Sequence, residues 1–161
     1  MIIEEPAFSV DGYIIDQSYI DNIEYGNNTS DSNGCGWIAC YNLCKYLGID
    51  KSTEEIVTFM EKYLWGKGFF GTAVNGVKQF MQSLGIETKT VVGKRAILNA
   101  EPEFGIVFYF YGQGFHYTFF YKYDKVNYRF LNDSFEEFDI RPLSKMLKKE
   151  VRLGLCMAFV V

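Results

Sequence analysis

Residues 32–48 read Ser-Asn-Gly-Cys-Gly-Trp-Ile-Ala-Cys-Tyr-Asn-Leu-Cys-Lys-Tyr-Leu-Gly, and the rest of the chain is arranged around them. Between Trp37 and Cys44 the polar residue is Asn42, so a helix here is apolar on nearly every side and has to run through the middle of a domain. Cys35 stands at its start, where unpaired backbone N–H groups and the positive end of the helix dipole favour a thiolate over a thiol. Gly34 and Gly36 flank it and are expected to let another chain approach the sulfur closely. Gly48 is a usual helix stop, and Lys45 complements the dipole. Cys35 is therefore a candidate nucleophile.

Upstream, Tyr25 to Gly34 is rich in Gly, Asn, Ser, Thr and Asp and reads as a loop that delivers the chain to Cys35. Phe8 to Ile15 suits a short strand broken at Asp11-Gly12. Downstream, Ser52-Thr-Glu-Glu55 is a capping box, and Ile56, Val57, Phe59, Met60 and Tyr63 follow at helical spacing, which predicts a helix over about 52–64. Thr72 caps a third predicted helix, ending near Gly85, whose apolar positions Val74, Val77, Phe80, Met81 and Leu84 keep a 3.6-residue period.

The period then changes. Ile86 to Val92 reads as a strand, Lys94 to Asn99 as a short helix, and Gly105 to Tyr111 as a buried strand. Phe115 to Tyr123 and Tyr128 to Asn132 flank a turn and form a β-hairpin. A strand or loop over 134–140, a helix over 143–149 and an apolar closing strand over 153–161 complete the chain. Helices precede an antiparallel sheet, so the expected class is α+β, in one domain spanning 1–161.

Composition excludes several functions. A formal charge of −4 without a basic cluster argues against nucleic acid. No apolar run is long enough to span a membrane, and the first residues lack signal-peptide character, so a soluble, cytoplasmic protein without a membrane partner is expected. One His and no Cys-x-x-Cys pair argue against a zinc site, and no metal or organic cofactor is expected. Cys40, Cys44 and Cys156 read as small buried apolar residues in a reducing compartment.

His116, the single histidine, opens the first strand of the hairpin. A hairpin loop of two residues, Asp124-Lys125, or of four, Asp124 to Asn127, places Asp133 on the same face as His116 because side chains alternate along a strand. A bulge reverses the parity and brings Asn132 there instead; hairpin parity favours Asp133. A carboxylate beside His116 orients the ring and stabilises its protonated form, which in turn stabilises the Cys35 thiolate.

Gly34-Cys35-Gly36-Trp37 opening a buried helix, Gly114-Phe-His116-Tyr on a later strand, and Phe130-Leu-Asn-Asp133 closing the hairpin resemble papain-like cysteine peptidases. The compact spacing is similar to bacterial peptidase domains that cleave bacteriocin leaders after a double glycine, and to their stand-alone relatives. The resemblance covers about residues 34–134. It implies a nucleophile at Cys35, a general base and acid at His116, and an orienting Asp133. It also implies an oxyanion hole made by the Cys35 backbone N–H and an upstream side-chain amide. The family usually places Gln six residues before the nucleophile; Thr29 stands there in this chain, leaving Asn28 and Asn27 as the candidate donors. Trp37 follows Cys-Gly where the family often has Pro, and either packs as core or borders the groove; it joins Gln113 and Tyr117, with Trp65, Phe69 and Phe70, as a candidate groove-liner. The expected activity is hydrolysis of a peptide or amide bond in a peptide or protein substrate through an acyl-enzyme. An acyltransferase and a catalytically silent peptide-binding module are the alternatives.

Overall fold

A computed structural model describes residues 1–161. In chain order it contains β1 (Glu24–Tyr25), β2 (Asn28–Thr29), α1 (Ser30–Asn33), α2 (Cys35–Leu47), α3 (Thr53–Glu61), α4 (Val74–Ser83), β3 (Lys89–Val92), α5 (Lys94–Asn99), β4 (Phe104–Phe110), β5 (Phe115–Lys122), β6 (Asn127–Leu131), β7 (Asp139–Pro142), α6 (Leu143–Glu150) and β8 (Cys156–Val160). β3 to β8 form one antiparallel sheet in the order β3-β8-β4-β5-β6-β7.

Alternation along the strands sends successive residues to two cores. Ile106, Phe119, Leu131 and Phe159 join α2, α3 and α4 on one face. Val107, Phe120, Phe130 and Ala158 join Ile97 of α5 and Met146 and Leu147 of α6 on the other. The expected helical half packed on a sheet is present, and α5 and α6 add a layer behind it. No helix is long and apolar enough to cross a membrane.

Helix α2 is buried along most of its length, as its uninterrupted apolar character requires. Its interior polar residue, Asn42, is fully buried and satisfied: Oδ1 accepts from Ile14 N and Nδ2 donates to Ile14 O, each at 2.8 Å. The helix thereby serves as a hydrogen-bonding edge for the N-terminal segment, which forms only an isolated bridge, Phe8 to Ile14, instead of the expected strand. Gly48 takes φ 66, and the Ser52–Glu55 capping box forms in full ahead of α3. Thr72 does not cap α4, because its hydroxyl bonds Tyr25 Oη inside the core at 2.6 Å.

The β5–β6 register corrects the expected one. Phe119 pairs with Leu131 and Lys122 with Tyr128, which is shifted by one residue from both registers considered above. The cause is the turn: Asp124 Oδ1 accepts from the N–H groups of Val126 and Asn127, both at 2.8 Å, and Tyr123 N bonds Asn127 O. This Asx turn leaves three residues in the loop, so the face parity inverts.

Candidate active site

Cys35 is the first residue of α2 and is half-buried. The first turn of the helix is pressed against the segment before α4. A Cβ on Gly36 would lie 2.6 Å from Thr72 Oγ1, and one on Gly34 would lie 2.5 Å from Ser30 O. Both glycines are thus required by packing within the protein, and not, as their position suggested, by the approach of another chain. Trp37 is also internal: it is fully buried and its Nε1 donates to Ser30 Oγ at 3.0 Å, so it borders no groove.

His116 reaches Cys35 from β5. Its Nε2 donates to the main-chain carbonyl of Asn132 at 2.6 Å, which leaves Nδ1 free to serve the thiol. Burial acts to raise the Cys35 pKa, but the hydrogen bond and charge of His116, followed by the N–H groups of Tyr117 and Gly36, bring it below the ordinary thiol value. For His116 burial acts downward and is overcome. The Cys35 bond and charge, the Asn132 carbonyl and the Asp133 charge push it up to about 9. The two shifts run in opposite directions, each toward the charged form of its group.

Neither expected side chain holds the imidazole. The inverted parity turns Asn132 toward His116, but β6 ends at Leu131 and Asn132 takes φ 61, so its carbonyl meets the ring. Its side chain pairs instead with Gln17: Nδ2 donates to Gln17 Oε1 at 2.8 Å, and Gln17 N donates to Asn132 Oδ1 at 3.0 Å. The Asp133 carboxylate is buried. It accepts from Tyr109 Oη, from Thr118 Oγ1 at 3.4 Å and from Arg141 Nη2 at 2.5 Å. Arg141 also contacts Asp139 at 2.9 Å and Glu150 at 3.1 Å. Asp133 thus makes no hydrogen bond to His116; its charge favours the imidazolium from a distance, while burial pushes its own carboxyl above the usual value.

Two lobes of a cleft meet at Cys35. One, of about 400 Å³, is bordered by Cys35, His116, Gln17, Asp31, Asp133 and Phe135. The other, of about 310 Å³, is bordered by Cys35, Phe69, Phe70, Phe108, Gln113 and Tyr117. Gln113, Tyr117, Phe69 and Phe70 are thus at the cleft. Tyr117 is itself buried, with Oη donating to Thr72 O at 2.8 Å, and Trp65 is exposed beside Phe70 with ring centroids 5.6 Å apart. Asn27 and Asn28 lie at the β1–β2 turn and line a separate depression with Glu24 and Thr29, so the structure does not bring them to Cys35. Thr29 donates to Asp31 Oδ1 at 2.5 Å.

Comparison with solved structures finds relatives of the fold. The chain superposes on the peptidase domain of Streptococcus ComA, a bifunctional ABC transporter involved in quorum sensing, with a TM-score of 0.57 and 17% identity, covering 81% of this chain and 93% of that one. It superposes on a double-glycine motif protease from an AMS/PCAT transporter, solved with its leader peptide, with a TM-score of 0.54 and 15% identity, covering 79% and 84%. The fold is that of a papain-like peptidase. No family model and no curated protein matches the sequence.

Within this papain-like fold, Gln17 is the residue that sequence reasoning missed. It lies far outside the short window before Cys35 in which an amide was sought, because the β1–β2 hairpin and α1 intervene. Its Nε2 donates one hydrogen to Asp31 O at 2.8 Å, and an amide nitrogen carries two. No periodic pattern marks it; the one local signal is Asp16, whose carboxylate caps the short 3-10 turn Gln17–Tyr19.

Proposed function

We propose that the protein is a cysteine peptidase in which the Cys35 thiolate attacks a peptide carbonyl and His116 moves the proton. The observation that carries this reading is the placement of Cys35 at the open start of α2 in the same cleft lobe as His116, whose ring is held by the Asn132 carbonyl; each group favours the charged form of the other, Cys35 being shifted downward and His116 upward. Attack forms an S–C bond and a tetrahedral oxyanion. Collapse expels the amine, which takes its proton from His116; the neutral imidazole then draws a proton from water, and the resulting hydroxide equivalent releases the acid and restores the thiol pair. The oxyanion is received by the Cys35 backbone N–H, at the open end of α2, and by the second N–H of Gln17 Nε2. Asp133 stabilises the imidazolium electrostatically.

The proton route also orients the substrate. His116 has to face the leaving amine, so the lobe that contains it takes the C-terminal side of the substrate. The aromatic lobe of Phe69, Phe70 and Phe108 then takes the acyl side, favouring apolar residues before the scissile bond. A mixed peptide library read by mass spectrometry tests the proposal. New amino termini after apolar residues, absent with Cys35→Ala, are expected. Binding without cleavage would instead support a peptide-binding module, and product formed only with an added amine an acyltransferase.

A further inference from the structure

The side chains of Gln17 and Asn132 are both more than nine-tenths buried and meet across the two halves of the site. Asn132 belongs to the segment that orients His116, and Asp31, the other partner of the Gln17 side chain, belongs to the short helix that leads into Cys35. Gln17 contributes its main-chain N–H as well as both ends of its amide, so three bonds, of 3.0, 2.8 and 2.8 Å, converge on one residue. The φ of 61 at Asn132 lies in the left-handed region, which Asn adopts more readily than other residues with a side chain but does not hold by preference, and in that conformation its carbonyl faces His116 Nε2.

We propose that Gln17 and the Asn132 side chain form a positioning bracket that holds the Asn132 carbonyl against His116 and fixes the distance between the imidazole and the Cys35 thiol. The orienting contact of the site is then a main-chain oxygen whose placement is enforced by an amide pair, with the carboxylate of Asp133 behind it. An amide pair titrates nowhere in the working range, so the ring is held equally at all pH values while Asp133 and Arg141 set the field. The charged and titratable groups facing His116 are Cys35 from α2, Tyr109 from β4, Tyr111 just after it, Asp133 after β6 and Asp31 from α1; Arg141 and Glu150 stand behind Asp133. None of them reproduces the bond to Nε2.

This inference rests on Cys35 and His116 being an activated pair, and alkylation tests the two separately. Iodoacetamide labelling needs no oxyanion hole, so it reads the thiol–imidazole pair without the other role given to Gln17. The pH dependence of Cys35 labelling is measured in the wild type, His116→Ala, Asn132→Gly, Gln17→Met and Ser52→Ala. Glycine keeps positive φ accessible while removing the Asn132 amide, and methionine keeps the volume of Gln17 while removing its polar ends. Ser52→Ala destabilises α3 far from the site. The bracket predicts a labelling midpoint raised by about one unit or more in both bracket variants, with the rate at pH 6.5 lowered about tenfold, and no shift in Ser52→Ala. Wild-type midpoints in both folded bracket variants would overturn the bracket alone. A wild-type profile indifferent to His116→Ala would overturn the pair and the bracket together. Should a variant fail to fold, NMR of the wild type decides: a slowly exchanging, hydrogen-bonded His116 Nε2 proton is expected, and its absence overturns the bracket.

Discussion

Cys35 and Cys40 lie on the same helix, little more than one turn apart, and their thiols are driven in opposite directions. Burial pushes Cys40 well above the ordinary thiol value, and the partner its thiol finds is Met60 Sδ, at 3.8 Å. Cys44, one turn further on, is pushed up to about 11 by the same cause. Burial acts on Cys35 as well, but there His116 and two backbone N–H groups outweigh it. The helix presents several thiols and does not choose among them. The choice is made by β5, which brings an imidazole to the helix start and nowhere else.

The strongest way to break this contrast is to remove each sulfur in turn. Cys35→Ser is expected to lower peptide cleavage by at least about a thousandfold in a turnover assay. Cys40→Ala should keep turnover near the wild-type rate while lowering stability by about 1 kcal/mol in urea unfolding.

Removing the partner should make Cys35 resemble an ordinary thiol. A free thiol with a pKa near 8.5 is only about 1% thiolate at pH 6.5, so His116→Ala should slow Cys35 alkylation at that pH by roughly ten- to a hundredfold. In the wild type, His116 keeps its proton below about 9 and loses it above, so the acid that expels the amine disappears on the alkaline side. The expected profile of kcat/KM is a bell with an alkaline limb near 9 and an acid limb below the usual thiol value.

Smaller effects sharpen the difference between residues that touch the pair and residues that support it. Asp133→Asn leaves Arg141 without one of its carboxylates in a buried setting, at a cost of about 3 kcal/mol in urea unfolding. Its effect on catalysis is expected to be a modest downward shift of the alkaline limb, since the Asn132 carbonyl still holds the ring. Trp37→Phe loses one buried bond to Ser30 Oγ, about 1 kcal/mol, with the labelling profile unmoved.

Legibility in the sequence followed the reach of each signal. The uninterrupted apolar run after Cys35, the Ser52–Glu55 box and the lone His116 on a strand are local patterns, and helix, cap and strand appear where they predict. Asp133 was singled out by hairpin parity, and the three-residue loop set by an Asx turn at Asp124 was enough to invert it. Asn132 then came into place for a reason parity does not contain, a positive φ that offers the carbonyl in place of the side chain. Gln17 was out of reach altogether, because its bonds to Asp31 and Asn132 join segments that only the folded chain brings together. Trp37 was open between core and groove from its position after Cys-Gly, and its buried indole, bonded to Ser30 Oγ, decides for the core.

Cys35 is expected to be the one activated thiol of four, and a single competition experiment tests this most directly. The native protein is treated with one equivalent of iodoacetamide at pH 6.5, and the label is located by peptide mapping in the wild type and in His116→Ala. Label confined to Cys35 in the wild type and nearly absent from it in the variant is the result predicted. Label spread over Cys35, Cys44 and Cys156, or a Cys35 signal unchanged by His116→Ala, would contradict the account.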